Sequence, residues 1–450
     1  MKPAANSLLS PSPLRNEPPA LKTESIAAWL LCVAVALLIL FQVHVAVGSG
    51  AINVNLADPF AILAFSAVLM DAALHKRLPL WRVPYFNYAL VGISVVMLLG
   101  FAHGWYVIGS SNWAMGKVLG WFVLLGYLAA GYLCVAYRGT PGFRRLLETM
   151  AIIMCAIVFT RAIVIIGQPY GFFDTYELPH NFEGYAGNRN ALAFQILAIS
   201  AAFLAYLPTY SHKKPAFLPL FSYSQLSLFA MAVMVAGMIL TASRSGIATM
   251  LIVFTVGFVI RRENRKTTLL ALLLGLILWA FFVYSAELVL YVHGLFSDLL
   301  GIEPPNAERL RSIQTRFSTP ESDVGRWLLT EKAFAVWLEA PLFGRGLGYF
   351  LDVSPAIMGL PIVIHNTALW LLTEFGLIGL IPFGFTFVIL VIWAIKQTKR
   401  RLTANAVLLL LIAFILMSAF HEVLYQRIFW FFLGALLTYR SLDRSKLIQI

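Results

Sequence analysis

The sequence predicts an all-α polytopic membrane helix bundle, with about twelve transmembrane helices and one large outer (periplasmic) loop that contains short helices. Hydrophobic residues make up 60% of the 450-residue chain and charged residues only 12%, which is far too apolar for a soluble protein of this length. Apolar runs of roughly 17–25 residues, the length that crosses a bilayer, recur along the chain. Basic residues stand in small clusters between these runs, as topology signals do.

The predicted organisation has five parts. Residues 1–25, rich in proline, serine and charge, are expected to be a disordered cytoplasmic tail. A first transmembrane part (26–290) is followed by the outer loop (291–364), a second transmembrane part (365–440) and a cytoplasmic tail (441–450). The apolar runs lie at 26–47, 56–74, 86–102, 115–137, 146–166, 191–207, 224–241, 246–260, 268–290, 375–395, 404–422 and 427–440.

The distribution of basic residues gives the orientation and argues against a nucleic-acid partner for this chain of net charge +12. When the runs alternate across the membrane, two thirds of the 33 Lys and Arg residues fall on the side of the termini. The positive-inside rule therefore predicts that both termini are cytoplasmic. Among the basic residues left on the outer side, arginine outnumbers lysine. Because arginine grips phosphate oxygens in pairs, this bias indicates a phosphate ligand on that side.

Two outer loops have patterns of their own. Within loop 291–364, the helical spacing of Trp327, Phe334 and Leu338 predicts an amphipathic surface helix over residues 326–338. A glycine-rich turn follows this segment. The second loop, 167–190, is rich in aromatic rings, which either stack on sugars or lie at the membrane interface.

His365 stands where the outer loop re-enters the membrane, and it is the first candidate for chemistry. Near neutral pH a histidine can accept a proton from a hydroxyl group, although a lone histidine at a helix entrance can also be a structural residue. Asn366 or Thr367 can cap the following helix, whose N-terminus favours an anion. Glu374, two turns further on, either orients a partner arginine or closes the pocket.

Five arginines are candidates for binding an anion near His365. Arg244 lies in a tight turn between two apolar runs, where the alternative is that its side chain simply reaches the membrane surface. An arginine inside a span must face the bundle interior or reach outward. The others are Arg161 inside the fifth run, Arg189 before the sixth, Arg326 at the start of the predicted surface helix and Arg345 between glycines.

The sequence leaves two roles open for Glu422 and indicates no metal site. Glu422 either forms a buried ion pair with Arg427 that closes the bundle or supports the candidate site. The three cysteines lie inside apolar runs, and no metal-binding spacing is present in the sequence. The sequence therefore predicts a metal-independent protein without a cofactor.

Six short motifs follow one another along the chain, at 188–193, 243–246, 326–327, 341–348, 365–366 and 374–379. Each motif is common by itself, and the ordered set is specific. This set resembles the motifs of the O-antigen ligase and O-antigen polymerase family of bacterial inner-membrane glycosyltransferases. The predicted plan of twelve spans and one large outer loop agrees with the family.

This resemblance implies transfer of a glycan from undecaprenyl diphosphate to an acceptor hydroxyl group at the periplasmic face of the inner membrane. It implies that His365 is the catalytic base, that Arg244 and Arg326 bind the diphosphate, and that Arg189 is a further candidate. We expect a single displacement, with membrane lipids as surroundings and lipid A–core as the acceptor of a ligase. A glycan acceptor (O-antigen or exopolysaccharide polymerase) and a protein hydroxyl (O-oligosaccharyltransferase) remain alternatives.

Two readings from other functional classes compete with the enzyme. A lipid-linked sugar transporter needs polar groups at mid-depth in several spans, whereas this sequence places them at the outer ends of the runs. The sequence also lacks an internal repeat, on which many transporter folds are built. A structural membrane protein, whose outer loop binds partners, is the third reading.

Overall fold

A computed structural model describes residues 24–47, 50–76, 78–109, 111–167, 182–206, 223–300, 320–359 and 361–439. Both predicted tails fall almost entirely outside these residues, as do most of the aromatic loop 167–190 and residues 301–319 of the large outer loop. The described helices are α1 (Glu24–Leu38), α2 (Asp58–His75), α3 (Phe86–Ile108), α4 (Asn112–Gly167), α5 (Arg189–Tyr206), α6 (Tyr223–Leu240), α7 (Arg244–Ile260), α8 (Arg265–Leu300), α9 (Pro320–Glu339), α10 (Tyr349–Met358), α11 (Thr367–Gln397), α12 (Leu402–Ser418) and α13 (Arg427–Leu437).

The helices have the lengths and composition of a membrane bundle. Six stretches in the described residues, in α2, α3, α4, α5, α8 and α11, are long and apolar enough to span a bilayer, and α1, α6, α7, α12 and α13 are shorter apolar helices. The predicted helical fold is therefore confirmed, with six candidate spans, while the count of twelve spans and the periplasmic loop stay predictions.

The first apolar run differs from the prediction. A single span over 26–47 is wrong, because α1 ends at Leu38 and the chain continues as strand β1 (Gln42–Val47). This strand pairs antiparallel with β2 (Gly50–Asn55), so one hairpin interrupts the predicted all-α fold. The physical reason is the period-two placement of Val43, Val45 and Val47, since β-branched residues in alternation favour a strand.

Two long helices contain sharp breaks at glycine. In α4 the break is at Gly139 (φ 66°, ψ −175°), between the apolar runs 115–137 and 146–166. In α11 it is at Gly376 (φ 66°, ψ −171°). A positive φ is readily accessible to glycine but strained for other residues.

The break in α11 is bridged by the glycine-rich segment after α9. The backbone N–H groups of Arg345 and Gly346 donate to Thr373 O (3.0 Å) and Glu374 O (2.9 Å). In return, the N–H groups beyond the break, at 377 and 378, donate to carbonyl oxygens in the segment 341–342, at 2.9 Å and 3.0 Å. A broken membrane helix must have its freed backbone groups satisfied in this way. The motifs 341–348 and 374–379 are thus hydrogen-bonding partners.

A fully paired polar network joins α2, α4 and α13, and we call it the Asp58 network. Arg427 donates from Nε to Asp58 Oδ1 (2.8 Å) and from Nη2 to Asp58 Oδ2 (3.1 Å). Tyr127 Oη donates to Asp58 Oδ1 (2.7 Å), and the backbone N–H of Asn55 donates to Oδ2 (2.9 Å). Each carboxylate oxygen therefore has two donors. The predicted pairing of Arg427 with Glu422 is wrong, because Asp58 takes this arginine.

Candidate active site

The entrance to α11 is fixed by side-chain hydrogen bonds. Asn366 is the N-cap, since its Oδ1 accepts from Leu369 N (2.9 Å) while its amide donates to Ala419 O (2.9 Å). Thr367 Oγ1 donates to His421 O (2.8 Å) and accepts from Val423 N (3.0 Å). The capping role expected of Asn366 or Thr367 thus belongs to Asn366. Both side chains tie His365 to the segment between α12 and α13.

His365 lies at this entrance with a side chain that reaches the protein surface. The pKa of His365 is lowered, first because surrounding atoms remove hydration and second because Arg326 repels the protonated form, while Glu422 acts in the opposite direction. From an ordinary pKa near 6.5, this shift keeps the imidazole neutral at pH 7. A neutral imidazole is the form that can accept a proton.

Three arginines from three different helices form a series of neighbouring charges, of which Arg326 acts on this imidazole. Arg189 is the first residue of α5, Arg244 the first residue of α7, and Arg326 lies in α9. Arg189 is close enough to Arg326 and Arg244 for their like charges to repel, and Arg326 acts in turn on His365. We call these arginines, with His365 and His421, the His365 cluster.

Two charges in this cluster, those of Arg189 and Arg326, are poorly compensated within the described part of the protein. In the part of the chain that the structure describes, the side chains of Arg189 and Arg326 make no ion pair or hydrogen bond. Both are only partly exposed. Neighbouring like charges without partners raise the free energy of the protein, and an anion with several oxygens would lower it again.

His421 is not among the candidates that the sequence indicates, and the structure places it inside the cluster. Its Nε2 lies 2.8 Å from Ser245 Oγ. Burial lowers the pKa of His421 to about 3, and the charges of Arg326, His365 and Arg189 contribute further. The ring is therefore neutral at every physiological pH and serves as a hydrogen-bonding group.

The turns that carry Arg189 and Arg244 are joined by short polar side chains. Ser243 caps α7 by accepting from Gly246 N (3.2 Å), and its hydroxyl donates to Asn190 Oδ1 (2.8 Å). Asn188 caps α5 through Ala191 N (2.8 Å). These contacts hold the two arginines at adjacent helix starts. The sequence signal was present in the segments 188–190 and 243–246, but pairing between distant turns cannot be read from one chain.

Glu422 pairs with Lys117 and not with Arg427, so the ion-pair alternative from the sequence is wrong. It accepts from Lys117 Nζ at 2.5 Å, and this ammonium lies 4.4 Å from the ring centroid of Trp113 and 4.2 Å from that of Tyr425. Cation–π contacts with aromatic faces stabilise a desolvated ammonium. Because Glu422 also acts on His365, it stands between this buried lysine and the cluster.

Glu374 does not orient an arginine, so that alternative is wrong. Its side chain is buried, at 1% exposed. The cation that acts on it is Lys117, and Glu422 lies nearby. Glu374 therefore belongs to the interior behind the site, next to the break at Gly376.

The structure gives Arg161 and Arg345 other partners. The Arg161 guanidinium donates to Gly184 O (2.6 Å and 3.1 Å) and lies over the ring of Tyr185. Arg345 forms an ion pair with Glu339. Arg161 thus braces the turn that leads to α5, and anion binding by these two arginines stays a prediction.

The helix over 326–338 is part of α9, but its apolar stripe faces outward. Trp327 is 74% exposed and Phe334 47% exposed, whereas the buried positions are Leu329, Ala333 and Val336. An apolar stripe that the protein does not cover is suited to lipid at a membrane interface. Arg326 is adjacent to this stripe in the same helix.

The family model described as O-Antigen ligase (Wzy_C) matches residues 229–384 of the chain, a range that includes Arg244, Arg326 and His365. No curated protein matches the chain. The match and the apolar helices indicate a multi-pass bacterial membrane protein with a glycosyltransferase-type ligase or polymerase role. The match over residues 229–384 thus supports the similarity of the chain to the O-antigen ligase and polymerase family.

Proposed function

We propose that this protein transfers a glycan from undecaprenyl diphosphate to an acceptor hydroxyl group at the periplasmic face of the bacterial inner membrane, with lipid A–core as the acceptor. The observation that carries the proposal is the juxtaposition of Arg189 and Arg326, which lack partners among the described residues, with neutral His365. This arrangement suits an anionic leaving group next to a proton acceptor.

In the proposed reaction, His365 accepts the proton of the acceptor hydroxyl group while its oxygen attacks the anomeric carbon. The bond between that carbon and the diphosphate oxygen breaks, and the electron pair leaves with the diphosphate on its lipid carrier. Arg189, Arg244 and Arg326 stabilise the charge on the leaving group, because fixed guanidinium groups need little reorganisation. A single displacement inverts the anomeric centre.

The outward apolar stripe of α9 supports a lipid-linked donor. A polyprenyl chain lying along Trp327 and Phe334 would bring its diphosphate to Arg326. This arrangement requires no path across the bilayer, which a transporter of lipid-linked sugars would need.

The experiment is a transfer assay combined with a gene deletion. His365→Ala is expected to lower transfer by about 10²–10⁴-fold, the range for loss of a general base. His75→Ala changes an exposed histidine of α2 that is paired with Asp71 and should retain full activity. Wild-type transfer rates in correctly folded His365→Ala protein would refute the mechanism.

The deletion identifies the acceptor. Loss of capped lipopolysaccharide with accumulation of carrier-linked polymer supports a ligase, whereas accumulation of single repeat units indicates a polymerase. Loss of glycan from proteins alone indicates an oligosaccharyltransferase. Carrier translocation by the purified protein in vesicles, without transfer, would replace the enzyme with a transporter.

A further inference from the structure

A cavity lies at the end of α11 that is far from His365. The helix α11 begins next to His365, and its last residue, Gln397, lines this cavity. At 1.5 Å per residue the two ends of this helix, which is broken at Gly376, are at most about 45 Å apart. The cavity has a volume of about 340 Å³ and is lined by Trp81, Arg82, Trp393, Gln397, Arg401 and Tyr439.

The backbone around the cavity is held in place by pairing between the α2–α3 connection and the end of α13. Trp81 forms a β-bridge with Thr438. Arg82 N donates to Leu437 O (2.7 Å), and Tyr439 N donates to Leu80 O (3.0 Å). Trp81 Nε1 also donates to Asn87 Oδ1 (2.6 Å). These bonds preform one wall, so the cavity does not depend on a ligand for its shape.

Two like charges meet in this wall. The pKa of Arg82 is lowered, first by burial and second by the charge of Arg401. The Nε of Arg82 is buried without a hydrogen-bond partner, and in the described part of the chain neither arginine forms an ion pair with a carboxylate. Two adjacent guanidinium forks match the oxygens of a phosphate group.

The other side chains point to the membrane interface as the source of that phosphate. Trp81, Trp393 and Tyr439 have the amphipathic rings that concentrate at the level of lipid headgroups. Leu78 and Leu80, in the connection that leads to Arg82, are 63% and 54% exposed. We propose that this cavity binds the phosphate of an anionic phospholipid, with Arg82 and Arg401 holding the phosphate oxygens on the face opposite His365.

The test uses the purified full-length chain in detergent, where ligand binding raises the melting temperature by mass action. Short-chain phosphatidylglycerol should raise the melting temperature, and phosphatidylcholine at the same concentration should not. Arg401→Gln should weaken the apparent affinity for phosphatidylglycerol about fivefold, the contribution of one basic residue at an anionic surface. Arg82→Gln combined with Arg401→Gln should abolish the response.

Arg400→Gln is the matched control, because Arg400 is an exposed neighbour that does not line the cavity. Its response should equal that of wild type. If inorganic phosphate alone raises the melting temperature as much as phosphatidylglycerol does, the site binds the free ion and the lipid proposal is overturned. If only phosphatidylglycerol raises it, the bound phosphate is that of a membrane lipid. Equal responses to the two lipids, or a wild-type response from Arg401→Gln, would overturn the proposal. Since Arg401 is exposed on a connecting segment, its variant keeps the test valid if changes at Arg82 impair folding.

Discussion

Two charged clusters of the bundle, the Asp58 network and the His365 cluster, differ in how their charges are paired. In the Asp58 network, Arg427 donates two hydrogen bonds to the Asp58 carboxylate, which also accepts a hydrogen bond from Tyr127. In the His365 cluster, Arg189 and Arg326 lie close to one another without partners in the described chain. Their partners, and not their residue type, separate Arg427, which pairs with Asp58, from Arg189 and Arg326, which we propose bind a ligand.

Removing the carboxylate of Asp58 tests whether pairing in the Asp58 network stabilises the fold. Asp58→Ala should lower the free energy of unfolding by about 3 kcal/mol, because it leaves Arg427 without its counter-charge in a mostly buried position. Denaturant unfolding in micelles measures this loss. Glu331→Ala, an exposed carboxylate in α9, should change stability little. Equal stability of the two variants would show that the pairing of Asp58 contributes nothing.

Removing the charge of Arg326 tests the role of the unpaired arginines in the His365 cluster. Arg326→Gln should lower glycan transfer about 100-fold, since one fixed charge no longer stabilises the leaving diphosphate. Its free energy of unfolding should be unchanged or higher, because repulsion with Arg189 is relieved. Lys332→Gln in the same helix should keep both values near those of wild type. A stability loss as large as that of Asp58→Ala would place Arg326 among the structural arginines.

A substitution at Gly376 disturbs the backbone behind the His365 cluster without changing a charge. Gly376→Ala forces a side chain into a positive φ and against the carbonyl oxygen of Leu342, so we expect a loss of at least about 2 kcal/mol in stability. Gly384→Ala is the control in the same helix, where an added Cβ meets no atom within 4 Å. Thermal unfolding of the two variants should differ clearly. If both unfold like wild type, the docking of segment 341–348 onto the break is unimportant.

The smallest effect concerns the pH dependence of transfer. A base with a lowered pKa stays unprotonated to lower pH, so the acid limb of the rate profile should fall below pH 6.5. Arg326→Gln should move this limb to higher pH by removing repulsion of the protonated imidazole, and Glu422→Gln should move it lower. Residual transfer rates between pH 4.5 and pH 7.5, a range of about two units below and one above the usual value, measure both shifts. Shifts in the reverse order would separate these residues from His365.

The sequence predicts the general helical architecture well, because helix formation depends on local signals. Apolar runs gave the helices, and short polar motifs at helix starts marked Arg189, Arg244 and His365. The valine alternation in β1 was missed inside a longer apolar run. The partners of Glu422 and Arg427 could not be predicted, because Lys117 and Asp58 lie more than 300 positions away in the chain.

Arg345 and Arg161 illustrate the same limit. Both resemble ligand-binding arginines in sequence, one between glycines and one inside an apolar run, yet each has a partner within the protein. Only coordinates reveal that Glu339 and Gly184 O occupy these guanidinium groups. His421 is the converse case, since its contact with Ser245 comes from a helix far away in sequence.

Direct binding of undecaprenyl diphosphate to the purified protein tests the central claim, that the unpaired arginines next to His365 form a diphosphate site. Arg189→Gln combined with Arg326→Gln should weaken binding by at least about 30-fold, consistent with the loss of two charge-assisted contacts, and Lys332→Gln should bind like wild type. Wild-type affinity in the Arg189/Arg326 double variant would contradict the account.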